Sequence, residues 1–569
     1  MPAVVRRPFP VMLLAAALAL GGGATARAQG AAGGRIPLAE QAEGATIARV
    51  RVDMRASGGS RERDEALLGR LRRALAPLEG ARFNRQIVEA RLAPIRARMG
   101  EGGIAYRLQS GGLEDALTLV VELDTSQKAE AAAGFPTLYQ SERAQVGAIV
   151  SGGFGLYSDR NPWFGKPLLF NAYSPIARRL PSSGPAWAEG YVEPGLSAMF
   201  QLGDAPVWAY AAFTYMTTWS RGQDIFRSDA RTFGAVEKGY GGLLYVDPDS
   251  GDSLNVSVGR QNFTLNDGFL VNLVRGSSNA GARGATYLGP RLANDVSAIA
   301  DARFGPWRLK AFYIDPNELE FLESRTTFAG ANVGYEASKD LSLDATAIVV
   351  PQSKSTFSNP FGLRLPKEGL TTFAGHARQR NAFGVGGAWL EGEFAYQTHP
   401  DYAMSAWAGY ALAGYRFASA PWTPSLSYRY ALFSGDDPLT RRYERFDSLL
   451  STGLGVWLQG ISFGKLMTNS NLETHRIQFN VAPIAPLNLT FDWHLLRAPE
   501  LENRGGNPAL QPLASRNLGQ EFTLSARWAI NRNFYLQAIA SHSRPGSALK
   551  QIGADKPWST FQASLYWSL

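Results

Sequence analysis

The sequence predicts an all-β transmembrane barrel of about 18 antiparallel strands, with about 16 the nearest alternative, preceded by a small α+β domain of order β-α-α-β-β. Three observations predict it. Apolar and polar residues alternate with period two through most of residues 146–569, down to the last stretch, where Phe561, Ala563, Leu565, Trp567 and Leu569 alternate with Gln562, Ser564, Tyr566 and Ser568. Beyond the first thirty residues no apolar run approaches the ~18 residues of a spanning helix, so any membrane span must be built from strands. Helical periodicity is confined to residues 36–125.

Residues 1–28 read as a secretory signal peptide. Arg6 and Arg7 precede the apolar run Val11–Leu20, followed by glycines and the small-x-small pattern Ala26-Arg27-Ala28, with cleavage expected after Ala28. The alternative, a single membrane anchor, needs a longer apolar stretch.

Residues 36–125 alternate from Thr46 to Met54, with Val50, Val52 and Met54 on one face. They then place Leu67, Leu68, Leu71 and Leu75 on one side of a helix over Glu62–Ala76. Asn84 is the expected N-cap of a second helix carrying Val88, Leu92, Ile95 and Met99, in which Pro94 predicts a kink or an early end. Gly100, Gly102 and Gly103 break the chain before two alternating strands, Ile104-Tyr106-Leu108 and Leu117-Leu119-Val121-Leu123. This order, with Arg82-Phe83-Asn84 opening the second helix and Glu101-Gly-Gly-Ile-Ala-Tyr106 turning into a strand, resembles a POTRA domain. The resemblance implies a periplasmic module whose open strand edges receive extended segments of a protein partner. The alternative is a small domain that plugs or braces the barrel. Residues 126–145, alanine-rich around Lys128 to Ala133, form the expected linker.

In the barrel region Ile477-Phe479-Val481, Leu487-Leu489-Phe491-Trp493-Leu495 and Phe522-Leu524-Ala526-Trp528 each alternate with polar residues. The stretch Ile530 to Asn533 is a tight turn, whereas 353–371, 436–445 and 497–516 are long and polar. Short turns on one rim and long loops on the other are the habit of membrane barrels. A soluble antiparallel sandwich also alternates. Aromatics near strand ends (Trp422, Tyr428, Tyr430, Trp493, Trp528, Trp558, Trp567) and the signal peptide favour the membrane barrel, in which such residues form interface girdles.

The absence of cysteine removes thiolate metal sites, catalytic thiols and disulfides, and the formal net charge of +8 gives weak support for anionic partners. If the apolar row faces lipid, the polar row lines the lumen, and strand parity assigns Arg308, Lys310, His376, Arg378, Arg380, Arg429, Arg476 and Arg527 to it. A charge on the lipid row would cost ~2–4 kcal/mol at mid-membrane. Asp344, Glu391, Glu393, Asp492 and Glu521 share the polar row, so ion pairs are expected to order the wall. Leu254, Val256 and Val258 fall out of parity with Phe263 and Leu265. Either a bulge at Gly259-Arg260 turns Arg260 into the lumen, or the strand ends there and Arg260 sits at the rim.

Val258-Gly259-Arg260-Gln261-Asn262-Phe263, with Asn266-Asp267-Gly268 after it, resembles the Gly-Arg-Gln strand of the alginate export family. Ser434-Gly435-Asp436-Asp437-Pro438 and Arg445-Phe446-Asp447 resemble its later Ser-Gly-Asp and Phe-Asp segments. The resemblance implies an outer-membrane porin of about 18 strands with an arginine-rich path for an anionic polysaccharide, to which Arg260 is carried over by motif. A POTRA-like domain in front departs from that family and points to the alternative, a translocase or assembly factor for proteins. Those families carry Arg-Gly-aromatic on a lid loop. Here Arg221-Gly222, Arg275-Gly276, Arg283-Gly284 and Arg504-Gly505 are followed by Gln223, Ser277, Ala285 and Gly506. The scattered histidines (His376, His399, His475, His494, His542) form no nucleophile-and-base pattern, with His494 read as a hydrogen-bonding wall residue beside Asp492, so no enzymatic activity is expected. Asp436-Asp437 reads as turn chemistry rather than a metal site. No cofactor and no nucleic-acid partner are expected.

Overall fold

The computed structural model describes residues 46–569, apart from 58–60, 80–82, 100–102, 111–115, 127–136, 142, 164–183, 225–227, 248–249, 273–282, 289–292, 321–322, 452–456, 485, 508–509 and 532. The expected signal peptide and most of the expected linker lie outside the described residues.

The N-terminal domain consists of β1 (Thr46–Ala56), α1 (Arg61–Leu75), α2 (Arg85–Met99), β2 (Gly103–Ser110) and β3 (Ala116–Asp124). The three strands pair in the order β1-β3-β2, with β1 parallel and β2 antiparallel to β3, which leaves β1 and β2 as edges. Leu67, Leu71 and Leu75 of α1 and Val88 and Leu92 of α2 pack on Ile104, Leu108, Leu119 and Val121, the predicted apolar faces. Asn84 caps α2 by accepting the Ile87 amide at 3.0 Å. The early end expected at Pro94 does not occur: α2 runs through it to Met99.

The second body opens with a short β4 (Thr137–Gln140), followed by β5 (Ala144–Arg160), β6 (Ala186–Gln201), β7 (Val207–Gly222), β8 (Arg231–Val246) and β9 (Ser253–Arg260). Then come β10 (Val296–Phe304), β11 (Trp307–Asp315), β12 (Thr327–Ser338) and β13 (Leu341–Gln352), with a small hairpin of β14 (Thr356–Ser358) and β15 (Arg364–Pro366) above them. The wall continues with β16 (Thr371–Arg380), β17 (Ala388–Thr398), β18 (Ala406–Arg416), β19 (Ser425–Phe433) and β20 (Leu472–Ile484). It ends with β21 (Leu487–Arg497), β22 (Asn517–Ala529), β23 (Phe534–Pro545) and β24 (Trp558–Ser568). Each strand pairs antiparallel with the next, and β24 closes on β5 from Ser559 opposite Arg160 to Ser568 opposite Ser151. The result is a closed barrel of 18 strands. No helix among the described residues is long and apolar enough to cross a membrane.

Parity decides which face each side chain takes. On β9 Leu254, Val256 and Val258 are exposed while Ser253, Asn255 and Ser257 are buried; on β11 Trp307, Leu309 and Tyr313 are exposed while Phe312 and Ile314 are buried. An exposed apolar row of this kind runs round the wall (Phe213, Leu243, Val333, Phe373, Phe394, Phe479, Leu524, Phe561) and is stable only against hydrocarbon. Trp567 lies over Gly152 on the closing seam, where an added Cβ would meet its ring at 2.0 Å. Trp558 departs from the expected girdle: it is fully buried on the inner row, edge-on to Trp163, and donates its indole N–H to Asp159 at 2.8 Å.

The N-terminal domain docks at the short-turn rim. Ile87, Ala90 and Ala93 of α2 meet Met199, Trp208, Tyr210, Leu244 and Val246, apolar residues on the inner rows of β6, β7 and β8. Gln86 donates to the Tyr240 hydroxyl at 3.2 Å, and Arg303 donates to the Pro77 carbonyl at 2.8 Å. Residues Asp53 to Arg55 of β1 share a cleft with Asn531 and Asn533 on the far side of the same rim.

Candidate functional site

The lumen wall is the candidate site, and the register sorts its charges into rows running across the strands. One row passes directly from Arg378 to Glu391, Leu412, Arg429, Arg476, His494 and Glu521, so six neighbouring cross-strand pairs carry three of the predicted arginines. The next row runs Arg303, Arg308, Gly334, Asp344, His376, Glu393 and Tyr410. These rows exist because each residue occupies the inner parity of its strand, and the antiparallel ladder then fixes its neighbour.

Most of these cations are paired. Arg308 lies 3.4 Å from Glu336 and 3.7 Å from Asp344, Lys310 lies 2.9 Å from Asp301, Arg378 lies 2.6 Å from Glu391, and Arg476 lies 2.7 Å from Asp492. His376 links the two rows, with one ring nitrogen 3.3 Å from Asp344 and the other 3.0 Å from Glu391. Pairing of this sort is what lets charge persist in a partly dehydrated wall, because an unpartnered buried ion costs several kcal/mol. Asp344, Glu391, Glu393, Asp492 and Glu521 all lie on the inner row, as expected from parity.

The other predicted residues differ. Arg429 is 2% exposed, stacks 4.3 Å over the Trp457 ring and donates to Gln459 at 3.3 Å. Arg380 and Arg527 take part in no ion pair among the described residues, and Nε and Nη1 of Arg527 are buried without a hydrogen-bond partner. Both lie within two residues of the short-turn end of their strands. Arg260 is the last residue of β9. Neither ladder of β9 holds an extra residue, so the strand ends rather than bulges. Gly259 turns the chain there at φ +126°, and Arg260 pairs with Asp295. Phe263 and Leu265 are out of parity because they belong to the loop that follows. His494 also differs: it is buried, but neither ring nitrogen has a hydrogen-bond partner, so it does not hold the wall as expected beside Asp492.

Sequence reasoning missed the loops that fold into the long-loop half of the lumen. Phe263, Leu265, Phe269, Leu270 and Val271 from the β9–β10 loop meet Tyr443, Phe446, Leu449, Trp457 and Phe463 from the β19–β20 loop in one apolar cluster. The cluster reaches wall residues as far apart as Phe312, Phe328, Phe433 and Trp558. Buried wall carboxylates pin these loops. Glu521 accepts the amides of Ile461 at 2.5 Å, Ser462 at 3.0 Å and Phe463 at 3.4 Å, and Glu189 accepts those of Thr286 and Tyr287 at 2.8 Å and Leu288 at 3.0 Å. Asp159 holds Lys465 at 2.8 Å, and Asp267 of the β9–β10 loop accepts the Tyr410 hydroxyl at 2.7 Å. Glu189, Asp159, Arg303 and Lys238 were within reach of the same parity reading; Trp457 and Gln459 lie in aperiodic sequence that carries no such signal.

In the Ser-Gly-Asp-Asp-Pro loop, Asp437 accepts the Leu439 amide at 2.9 Å and Asp436 that of Glu444 at 2.8 Å, the turn chemistry expected. Burial pushes the Asp436 carboxyl up to about 6, with the nearby Glu444 and Glu502 charges adding to the effect. Burial also lowers the Arg445 guanidinium from its ordinary value.

A sequence model of the alginate export family matches residues 236–556, which is more than half of the chain. The search of curated proteins finds no match. Among solved structures the chain is similar to OccK7 (OpdD) of Pseudomonas aeruginosa, at 10% identity, covering 75% of this chain and 98% of that one with a TM-score of 0.45. It is also similar to OccAB1 of Acinetobacter baumannii, at 9% identity, 74% and 96% coverage and a TM-score of 0.48. The outer membrane protein OprD from Pseudomonas aeruginosa is similar at 9% identity, 74% and 93% coverage and a TM-score of 0.44. A closed barrel with an apolar belt outside and a charged lumen inside is an outer-membrane channel, and the matched span shows that the chain belongs to the alginate export family.

Proposed function

We propose that this channel passes an anionic polysaccharide of the alginate type, or a related anionic solute, across the outer membrane, with the N-terminal domain on the periplasmic side. The observation that carries the reading is the inner row Arg378-Glu391-Leu412-Arg429-Arg476, which runs across five neighbouring strands and on which Arg378 and Arg476 are each paired with a wall carboxylate. Guanidinium groups bind carboxylates in a two-pronged fashion, and a channel needs many weak sites rather than one strong one. Arginines already matched to wall carboxylates meet that need. An incoming carboxylate exchanges with Glu391 or Asp492 instead of filling a vacant, tight site, so each step along the wall is nearly balanced. Arg380 and Arg527, which hold no wall carboxylate, supply an attractive potential at the short-turn mouth.

The open edges β1 and β2 support a second role for the N-terminal domain, as a POTRA-like docking surface for an extended protein segment. The alternative of a protein translocase has no support from an Arg-Gly-aromatic lid motif.

The test is current block. A mannuronate oligomer added to the channel in planar bilayers should interrupt the ionic current, a neutral glucose oligomer of equal length should not, and Arg378→Gln with Arg476→Gln should weaken the block about tenfold or more, which at ~1.4 kcal/mol per decade is the scale of one charge-assisted hydrogen bond. Equal block by both oligomers would reject the reading.

A further inference from the structure

The outward face of the wall is not uniformly apolar. Strands β21, β23, β5 and β7 all run toward the long-loop rim, and each carries an outward arginine within its last two residues: Arg497, Arg544, Arg160 and Arg221. All four are exposed, and none takes part in an ion pair among the described residues. The next strand of this direction, β9, ends on Arg260, which Asp295 neutralises. On the other side of the barrel β11, β13, β17 and β19 run the same way, and their outward rows end on Asp315, Pro351, Thr398 and Leu432, none of them basic. The cations therefore occupy one sector of the circumference.

Their height follows from strand geometry. On β23 the outward residues leading up to His542 and Arg544 are Phe534, Leu536, Ala538 and Ala540, a continuous apolar row. From Phe534 to Arg544 the strand rises ~34 Å along its own axis, which a tilt of ~40° reduces to ~26 Å, the height of the apolar belt of a membrane barrel. Arg544 thus stands at the headgroup level of the leaflet beside the long loops, where an outward charge costs little and meets polar lipid groups.

The sector has a centre. The register sets Phe522, His542, Ser559 and Arg160 side by side on four adjacent strands, with Gln520 and Arg544 paired on the next outward step toward the rim. Strand spacing and rise put the backbones of Arg544 and Arg160 roughly 12 Å apart, a separation that two arginine side chains can close on one phosphate group. Nδ1 of His542 lies 3.1 Å from the Ser559 hydroxyl, and the Arg544 guanidinium lies 5.8 Å from the centre of the Phe522 ring. Just below them Ala540 pairs with Phe561, an apolar seat for an acyl chain. The outward carboxylate of the sector is Glu473, opposite Arg497 at its edge, where it lies 3.5 Å from His475 and accepts the Tyr430 hydroxyl at 3.5 Å.

We propose that this sector binds a phosphate-bearing lipid of the leaflet beside the long loops, with Arg544, Arg160 and the His542–Ser559 pair at the centre and Arg497 and Arg221 flanking it. A guanidinium grips phosphate through two parallel hydrogen bonds, and basic residues at headgroup level are attracted to an anionic leaflet. A site that joins cations to an apolar row suits a lipid rather than a free anion. A second copy of the chain related by a two-fold axis would set arginine against arginine. The inference is independent of what the lumen passes.

Native mass spectrometry of the full-length protein in detergent, titrated with diphosphoryl lipid A, tests it. The wild type should bind the lipid saturably, and Arg160→Gln with Arg544→Gln should weaken binding about twenty-five-fold, roughly fivefold per arginine. Lys339→Gln, on the exposed turn between β12 and β13, should leave binding unchanged, and lipid A stripped of its phosphates should bind weakly to wild type and double variant alike. Heat-dependent gel migration checks that each variant retains the barrel. Equal affinity in the wild type and the double variant, or equal affinity for the stripped lipid, would overturn the site. An equal loss in Lys339→Gln would mean that net charge alone is read and would overturn it too. Displacement of the lipid by an equal concentration of inorganic phosphate, or a dimer of the chain in place of the lipid adduct, would overturn the assignment to a lipid.

Discussion

The lumen arginines are not equivalent, and their partners say how each will respond to substitution. Arg476 neutralises Asp492, so Arg476→Gln leaves a buried carboxylate whose remaining hydrogen-bond partner among the described residues is Gln478 at 3.0 Å, a loss that in buried pairs runs to about 3–5 kcal/mol. Arg527 has no such partner, and Arg527→Gln should leave the melting temperature unchanged while reducing anion preference. Thermal unfolding in detergent compares the two, and equal destabilisation would contradict the pairing scheme. Asp436 carries a pH effect of opposite sign to an ordinary salt-bridged acid. Burial holds its carboxyl at about 6, above the ordinary value of 3.8, so the folded chain keeps the proton longer than the unfolded chain does. That stability is complete below pH 4 and is lost as pH rises through about 6. Asp436→Asn should therefore resist proteolysis in the 434–471 loop better than wild type at pH 8 and no better at pH 3.5; a greater advantage at the lower pH would contradict the assignment.

At the scale of elements, strands and loops differ in what their sequences reveal. A strand in this barrel is half wet and half greasy, and a period of two survives in Leu487 to Leu495 or Phe522 to Trp528 because every position answers to one of two solvents. The same logic assigned Arg308, Lys310, His376, Arg378, Arg380, Arg429, Arg476 and Arg527 to the inner rows, a parity they keep in the ladders, and found the two helices and three strands of the N-terminal domain. The inward-folded loops answer to neither solvent. Their contacts, such as Ile461, Ser462 and Phe463 on Glu521 some 60 residues away, come from tertiary placement and leave no local pattern. Arg260 shows the same limit, since a strand end and a bulge predict the same break in parity. Two predictions belong here. Glu521→Gln weakens the acceptor that pins 461–463, and single-channel conductance should rise as the loop loosens; unchanged conductance would mean that the loop does not narrow the path. Val256→Lys places a charge on the outward row of β9, where Val256 is 42% exposed to lipid, and should cost about 2–4 kcal/mol in reversible folding into lipid vesicles. A neutral effect would contradict the assignment of that face.

The molecule as a whole is narrowed twice. The apolar cluster around Phe269, Trp457 and Phe463 packs inward-folded loops against the wall in the long-loop half of the barrel, and the N-terminal domain meets the short-turn rim at β6 to β8 through α2 and at β10 through Pro77, with β1 sharing a cleft with the β22–β23 turn. Between them lies the wall of paired arginines. The apolar inner residues Met199, Trp208, Leu244 and Val246 are out of place in an aqueous lumen and are accounted for by α2, which explains why parity alone described the wall but not what sits against it. The central claim is that the path between these constrictions favours anions. The reversal potential of the purified channel in planar bilayers under a potassium chloride gradient measures it directly. The account predicts a potential of the sign set by chloride, shifted toward zero when Arg380 and Arg527 are both replaced by glutamine. A potential of the sign set by potassium would contradict it.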